Sequence, residues 1–215
     1  MRRLFIALFA AALTFPAAAS DKFTVHDDKP MDDARRPAPG KALIYFARTQ
    51  TMGYAVKVKL YSDGHFVGLI MSKTYLPVEV NPGKHEFIVE AENAGFLEAE
   101  VAPDKIYVVQ VAIHMGAMKA RTHFEVARTG SEAMQEFLKK QENLRALTTT
   151  DEGLNWVKED ASKIQEVIKK YRGKGEEFEH LKPEDGFAGP PWKQWAPKAT
   201  GLGCQRIAYF IYLAL

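Results

Sequence analysis

The strongest constraint on the fold is the alternation of apolar and polar side chains across residues 75–92. The apolar positions are Leu76, Val78, Val80, Phe87, Val89 and Ala91. A two-residue period places every second side chain on one face, so the stretch predicts two strands that are each buried on one side. Between them, Pro82 presets a negative φ for a turn and Gly83 accepts a positive one. We therefore expect an antiparallel hairpin at the centre of a β-sheet.

Similar signals continue across residues 41–129. Ala42–Ala47 is a short apolar run suited to a central strand. Asp63-Gly64 is a strong hairpin turn, because both of its residues tolerate positive φ. Further turns divide the region into about eight strands at regular spacing. These signals predict a mainly β protein in which residues 41–129 form an antiparallel β-sandwich of immunoglobulin-like or prealbumin-like type.

Helical periodicity replaces the strand pattern over residues 130–173 and predicts two helices after the sandwich. Ser131 or Thr129 would cap the first of them. Its apolar positions are Met134, Phe137, Leu138, Leu144 and Leu147. We therefore expect one helix that runs from residue 131 to about residue 147.

The second predicted helix, residues 151–172, has a narrower apolar stripe. It follows Thr150 as N-cap and ends before Gly173, the residue preferred just beyond a helix C-terminus. The stripe must cover the sheet, the first helix or a partner chain. Helix 151–172 is thus a candidate surface for an envelope partner or for self-association, with Ile164 and Ile168 as candidate contact residues.

The last part of the chain, residues 174–215, predicts an irregular tail. Gly189–Trp195 contains two consecutive prolines and is typical of an extended, polyproline-type segment. The apolar run at residues 207–215 is too short to span a membrane.

An export signal is predicted at the N-terminus. Arg2 and Arg3 precede an apolar run, Leu4–Phe15, and Ala17–Ala19 offers a small-residue cleavage site. We expect cleavage after Ala19 to leave a periplasmic or secreted bacterial protein with no transmembrane segment, the alternative being an uncleaved membrane anchor. The polar, proline-rich residues 20–40 predict a disordered leader.

The net charge limits which classes of partner are expected, and the cysteine content indicates what stabilises the fold. The chain has 29 Lys and Arg against 27 Asp and Glu, and the predicted signal peptide, residues 1–19, carries two of the arginines, which leaves 27 of each. A neutral mature chain argues against nucleic acid as a general partner. The single cysteine, Cys204, excludes an intramolecular disulfide, so the fold depends on its apolar core.

The histidines are the candidate metal ligands. His65 and His85 each follow a predicted turn, whereas His114 and His123 lie on the last two strands. His114 and His123 would approach one another if these strands pair, but no Cys, Asp or Glu stands at a recognised ligand spacing beside them. We therefore predict no metal and no cofactor, with a metal-dependent enzyme or metal-binding protein that uses the strand-end histidines as the alternative.

Aromatic side chains are the candidate recognition residues. Trp192, Trp195, Tyr54 and Tyr75 could stack on sugars or enter a pocket of a partner. Carbohydrate or peptidoglycan binding through Trp192 and Trp195 is a second alternative function. The competing interpretation is that the two tryptophans fix the tail to the sheet.

A family resemblance rests on several short segments of the β region. They are Ala42-Leu-Ile-Tyr-Phe, Leu60-Tyr-Ser-Asp-Gly, Gly68-Leu, Tyr75, Val80-Asn-Pro-Gly-Lys-His85 and Ile106-Tyr-Val-Val-Gln-Val. Through them, residues 41–127 resemble a bacterial exported β-sandwich family catalogued as a domain of unknown function (number two-eight-four-six). The Pro-Gly-Lys-His turn is also similar to surface-associated PEGA-type modules. The resemblance implies an envelope location and brings no catalytic residues.

No sequence motif indicates catalysis. The chain has no Gly-x-Ser-x-Gly, no phosphate-cradling glycine loop and no His-Glu-x-x-His. Taken with the features above, this predicts a non-catalytic binding or structural module of the bacterial cell envelope, and not an enzyme.

Overall fold

The computed structural model describes residues 24–27, 36–115, 120–150, 165–166, 168–170, 172 and 178–194. Within them the protein is mainly β. In chain order the strands are β1 (Thr24–Asp27), β2 (Ala42–Arg48), β3 (Val58–Ser62), β4 (His65–Ile70), β5 (Thr74–Val80), β6 (Gly83–Glu90), β7 (Ala94–Val101), β8 (Ile106–Met115), β9 (Ala120–Val126), β10 (Arg145–Thr149) and β11 (Phe178–Leu181). Two α-helices are α1 (Glu132–Lys140) and α2 (Pro191–Gln194).

These strands form two sheets. Sheet A has the order β1-β10-β5-β2-β8-β9, and sheet B has the order β11-β7-β6-β3-β4. The pairs β2–β8, β5–β10 and β7–β11 are parallel, and the other pairs among the described strands are antiparallel. The prediction of an antiparallel sandwich over residues 41–129 was therefore wrong at one pair, β2–β8, whereas β10 and β11 come from parts of the chain that were predicted as helix and irregular tail.

One apolar interior is shared by both sheets. Phe46 and Phe124 from sheet A meet Phe87 from sheet B, with ring centroids 4.9 Å apart for Phe46–Phe87 and 5.9 Å for Phe46–Phe124. All three rings are buried in the same cluster as Leu60 and Val109. This arrangement of two facing sheets is compatible with the predicted β-sandwich.

The predicted central hairpin does not exist as a hairpin. β5 pairs with β2 and β10 in sheet A, whereas β6 pairs with β3 and β7 in sheet B. The chain thus passes from one sheet to the other at Asn81-Pro82, and Gly83 has φ of 121° there. The alternation of side chains predicted both strands correctly. It could not predict their partners, because the two-residue period of a strand is the same whichever strand pairs with it.

Two local predictions are confirmed. Asp63 and Gly64 have φ of 48° and 80° and join β3 to β4 as a hairpin turn of the expected kind. β2 lies between β5 and β8 and is buried along its whole length, as its apolar run predicted. Within the described part of residues 41–129 no helix interrupts the strands.

The first predicted helix is shorter than expected. Its N-cap is Ser131, whose hydroxyl accepts a hydrogen bond from the Met134 amide at 3.1 Å, as predicted. The helix ends at Lys140, however, and Leu147 lies on β10, between β1 and β5. Tertiary pairing has overridden the helical spacing here, because the open edge of β5 can accept another strand.

The leader and the tail also carry regular structure that was not predicted. Within the leader, β1 pairs antiparallel with β10, which corrects the expectation of disorder at residues 24–27. Within the tail, β11 adds to β7, and α2 replaces the expected polyproline-type segment at residues 191–194. Proline is favoured at the first position of a helix, which explains why Pro191 does not prevent α2.

Some predictions fall on residues that the structure does not describe. The signal peptide at residues 1–19, the apolar end at residues 207–215 and most of helix 151–172 lie outside the described residues. Of that helix, residues 165–166 and 168–170 are described and are helical. Across the described residues, no helix combines the length and the apolar character that crossing a membrane requires.

Candidate metal centre

Three side chains with metal-binding atoms meet on the outer face of sheet A. On β8 and β9 the core takes Val111, Ile113 and Phe124, so the alternate residues point away from it. The register pairs Ala112 with His123 and His114 with Arg121. His114 and His123 are therefore diagonal neighbours on the outer face, and Glu125 follows His123 by two residues on the same face.

The donor atoms of this cluster form a compact triangle. His114 Nε2 lies 3.2 Å from His123 Nε2, which lies 2.9 Å from Glu125 Oε1, and the third side, from His114 Nε2 to Glu125 Oε1, is 3.9 Å. A triangle with these sides has a point about 2 Å from each corner, which is the distance from Zn²⁺ to imidazole nitrogen and to carboxylate oxygen. One metal ion could contact all three atoms without movement of the backbone.

One proton cannot serve both contacts of His123 Nε2. A neutral ring nitrogen carries either one N–H or one lone pair. If His123 Nε2 is protonated and donates to Glu125, it has no second proton to donate to His114. If His123 Nε2 is unprotonated and accepts from His114, its lone pair faces the Glu125 carboxylate oxygen 2.9 Å away with no proton between them. A shared cation removes this conflict, because all three atoms then present lone pairs to one positive charge.

The side chains are accessible and suitably charged for a metal. The two imidazole rings are stacked 15° from parallel, so their lone pairs run nearly side by side, and the rings would have to rotate about χ2 to aim both lone pairs at one ion. The side chain of His114 is 66% exposed and is free to do so. The hydrogen bond with His123 lowers the pKa of Glu125, although burial opposes this. Glu125 is thus a carboxylate at neutral pH, which is the form that binds a metal.

A cleft of about 500 Å³ opens beside the cluster. It lies between the outer face of β8–β9 and the first two turns of α1, and its described lining includes Glu132 and Glu136 of α1 as well as His114 and Glu125. Glu136 is paired with Lys140, and Arg128 also lines the cleft, so it is Glu132 that adds negative charge favourable to a cation there. The cleft also leaves room for a water molecule or an exogenous ligand in a fourth coordination position.

Contacts from sheet B fix the position of the strand that carries two of the ligands. The Asn93 side chain accepts a hydrogen bond from the Thr122 amide at 2.6 Å and donates one to the Thr122 carbonyl at 2.9 Å. Next to it, Gly95 lies so close that a Cβ atom there would be 2.9 Å from the Cα atom of His123. The absence of a side chain at Gly95 therefore lets β9 approach β7 and sets the place of His123.

Substitution Gly95→Ala tests this support. The added methyl group must push against the backbone of His123, so we expect a loss of about 1–3 kcal/mol in the free energy of unfolding and a weaker affinity for zinc. Urea denaturation and zinc titration would measure the two effects. Glu98→Ala, at an exposed position of the same strand, should change stability by less than about 0.5 kcal/mol. Equal effects of the two substitutions would contradict the role of Gly95.

The structure does not bring the other histidines to this centre. His65 is exposed at the start of β4. His85 Nδ1 lies 2.7 Å from Asp63 Oδ2 in the β3–β4 turn, and its Nε2 lies 2.8 Å from the Asn81 carbonyl oxygen between β5 and β6, so both ring nitrogens are already engaged. Of the four strand-end histidines, only His114 and His123 share a site.

Two predicted recognition residues are buried. Trp192 is 8% exposed and packs edge-on against Tyr45 and Phe137, with ring centroids 5.3 and 5.9 Å away. Tyr75 is 3% exposed and packs against Tyr45 on the same outer face of sheet A. Neither ring can stack on a sugar, and Trp192 instead fixes the tail to the sheet, which is the competing interpretation of the sequence. Trp195 lies outside the described residues.

Tyr54 is accessible, as predicted for a recognition residue. It is 77% exposed in the loop between β2 and β3. The guanidinium of Arg48, which is fully buried, donates hydrogen bonds to the Met52, Gly53 and Val56 carbonyls at 2.6–2.8 Å and so fixes the loop. Burial lowers the pKa of Arg48.

The described part of helix 151–172 contacts this chain. Ile168 packs on the outer face of sheet B, against a cluster that includes Ile88 and Phe96. Arg172 pairs with Glu86, and its guanidinium carbon lies 5.8 Å from the centre of the Phe96 ring. At Ile168 the apolar stripe of helix 151–172 therefore covers the sheet. The sequence had left three possibilities open for this stripe, namely the sheet, the first helix or a partner chain. Ile164 lies outside the described residues.

Comparison with known proteins adds no relative. No family model matches the chain, and no curated protein shows significant similarity to it. The resemblance to the domain of unknown function therefore stays a prediction.

Proposed function

We propose that this protein is a binding module for a divalent transition metal, with His114, His123 and Glu125 as its ligands. The observation that carries the proposal is the triangle of donor atoms with sides of 3.2, 2.9 and 3.9 Å. These three groups lie on adjacent strands of one hairpin, so the backbone register holds them together before a metal arrives. The proposal replaces our expectation of no metal.

The donor set favours zinc and its neighbours among the transition metals. Two imidazoles and one carboxylate suit Zn²⁺, Ni²⁺ and Cu²⁺, whereas Mg²⁺ and Ca²⁺ prefer oxygen ligands. Three protein ligands with an open fourth position can release or transfer an ion more readily than a closed four-ligand site. We therefore assign the module to metal binding or transfer, and not to a structural metal.

We further propose that the module works outside the cytoplasm in a bacterial envelope, on an immunoglobulin-like or prealbumin-like sandwich. The support for export is the N-terminal sequence, with Arg2 and Arg3 before an apolar run and Ala17–Ala19 at its end. Fractionation with N-terminal sequencing tests this proposal. A chain that begins at Ser20 in the periplasm or medium would support it, and an uncut chain in the cytosol would contradict it.

Zinc titration tests the metal proposal. We expect isothermal calorimetry of the purified, chelator-treated protein to show one saturable zinc per chain. Zinc at a hundred times its Kd should stabilise the fold by about 2.7 kcal/mol, because the ligands are assembled only in the folded state. Magnesium at the same concentration serves as the control. Absence of both heat and thermal stabilisation with zinc would contradict the proposal.

A further inference from the structure

A second cleft, distinct from the metal centre, carries a concentration of positive charge. It has a volume of about 530 Å³ and lies between the β4–β5 turn and the segment that joins α1 to β10. Lys73, Lys140 and Arg145 line it together with hydroxyl and amide groups that include Thr51 and Asn143. None of the described residues that line the cleft is acidic. The mature chain is predicted to be neutral overall, whereas the lining of this cleft is positively charged.

Backbone pairing joins the two residues, Lys73 and Arg145, that carry two of these cations. The Arg145 amide donates a hydrogen bond to the Lys73 carbonyl at 3.1 Å, and Arg145 is the register partner of Thr74 where β10 meets β5. The ion pairs found among the described residues include neither Lys73 nor Arg145, whereas Lys140 bonds to Glu136 at 2.6 Å. Two adjacent like charges without a carboxylate between them repel each other, and a bound anion would remove that repulsion.

The backbone at Lys73 has a conformation that is unfavourable for lysine. Its φ is 58°, in the left-handed region that glycine and asparagine occupy most easily. The other non-glycine residues with positive φ in the described structure are aspartates, Asp63 and Asp104, which tolerate this region. A lysine there costs about 1 kcal/mol, and such strain points to use of the side chain.

We infer that this cleft binds a phosphate group, held mainly by Arg145 and Lys73. Arginine can present two parallel N–H donors to two oxygens of a phosphate, and lysine adds a point charge. Thr51 and Asn143 at the cleft can donate to the remaining oxygens. The phosphate could be free in solution or part of an anionic lipid headgroup, since both present the same oxyanion.

The test is the binding of phosphate to the full-length protein, measured once after chelator treatment and once in the His123→Ala variant. Both conditions make the phosphate measurement independent of the proposed metal centre. We expect calorimetry at constant ionic strength to show saturable binding of inorganic phosphate. Arg145→Gln and Lys73→Asn should each weaken it about tenfold, the effect of one lost charge-assisted contact. Lys139→Gln removes the same charge from an exposed residue of α1 that does not line the cleft and should leave binding unchanged.

A stability measurement separates a binding role from a structural one. Because asparagine accepts the left-handed conformation, Lys73→Asn should unfold at the same or a higher temperature while it binds phosphate less well. Vesicles of phosphatidylglycerol, compared with phosphatidylcholine, distinguish a lipid headgroup from free phosphate. Three results would overturn the inference: no saturable binding to phosphate or vesicles, equal losses in Lys139→Gln, or a drop in unfolding temperature that accompanies the loss in Lys73→Asn.

Discussion

His123→Ala should reduce the affinity for zinc by at least about a hundredfold. His123 Nε2 is the corner of the donor triangle that is nearest to both other atoms, at 3.2 Å from His114 Nε2 and 2.9 Å from Glu125 Oε1. Its removal leaves two ligands, and even the loss of an outer hydrogen-bond partner of a metal ligand weakens binding about 10–100-fold. Calorimetric titration with zinc would measure the change.

Companion substitutions make this prediction specific. His114→Ala should resemble His123→Ala, whereas Glu125→Gln keeps an oxygen ligand, loses the charge and should weaken binding by a smaller factor. His85→Ala is the matched control, because it removes a histidine from β6, where the ring contacts Asp63, and not from the centre. Zinc affinity that is unchanged in His123→Ala, or that is lost in His85→Ala, would contradict the assignment. All variants should keep the circular dichroism spectrum of the wild type.

Phe46→Ala should lower the free energy of unfolding by about 3–5 kcal/mol. The Phe46 ring is fully buried and contacts Phe87 from sheet B and Phe124 from sheet A, so its removal opens a cavity where the two sheets meet. Urea denaturation followed by fluorescence would measure the loss. Tyr54→Ala also truncates an aromatic side chain, but one that is 77% exposed, and it should cost less than about 0.5 kcal/mol. A cost below about 1 kcal/mol for Phe46→Ala would mean that the sheets do not share this core.

Local sequence signals predicted the strands well because each depends on a few adjacent residues. Alternation indicates one buried face, and Asp63-Gly64 indicates a turn whichever fold surrounds it. Ser131 acts as an N-cap through its own side chain and the amide three residues later. These parts of the fold could be predicted from the sequence.

Strand partners could not be predicted in the same way. β5 and β6 follow one another through a proline-glycine turn that suits a hairpin, yet they join different sheets. Likewise, Leu147 fits a helical spacing but lies on β10, because the edge of β5 offers hydrogen bonds to another strand. These choices depend on contacts between residues distant in the sequence, which a local period does not contain.

The proposed metal centre does not follow the ligand spacings that are typical of helices and loops. His123-x-Glu125 is instead the spacing that places two side chains on one face of a strand. The sequence signal for this site was the pair His123-x-Glu125 together with His114 on the preceding strand of the hairpin. By contrast, the burial of Tyr75 and Trp192 depends on the packing of α1 and the tail on sheet A, and no local pattern indicates it.

X-ray absorption at the zinc edge, on protein loaded with one equivalent of zinc, is the most direct test of the proposed centre. We predict only nitrogen and oxygen neighbours at about 2.0–2.2 Å, with the outer-shell signature of two imidazoles. The imidazole signature should weaken in His114→Ala and persist in Cys204→Ser. A sulfur neighbour at about 2.3 Å, or a spectrum without imidazole, would show that zinc binds elsewhere and would contradict the proposed centre.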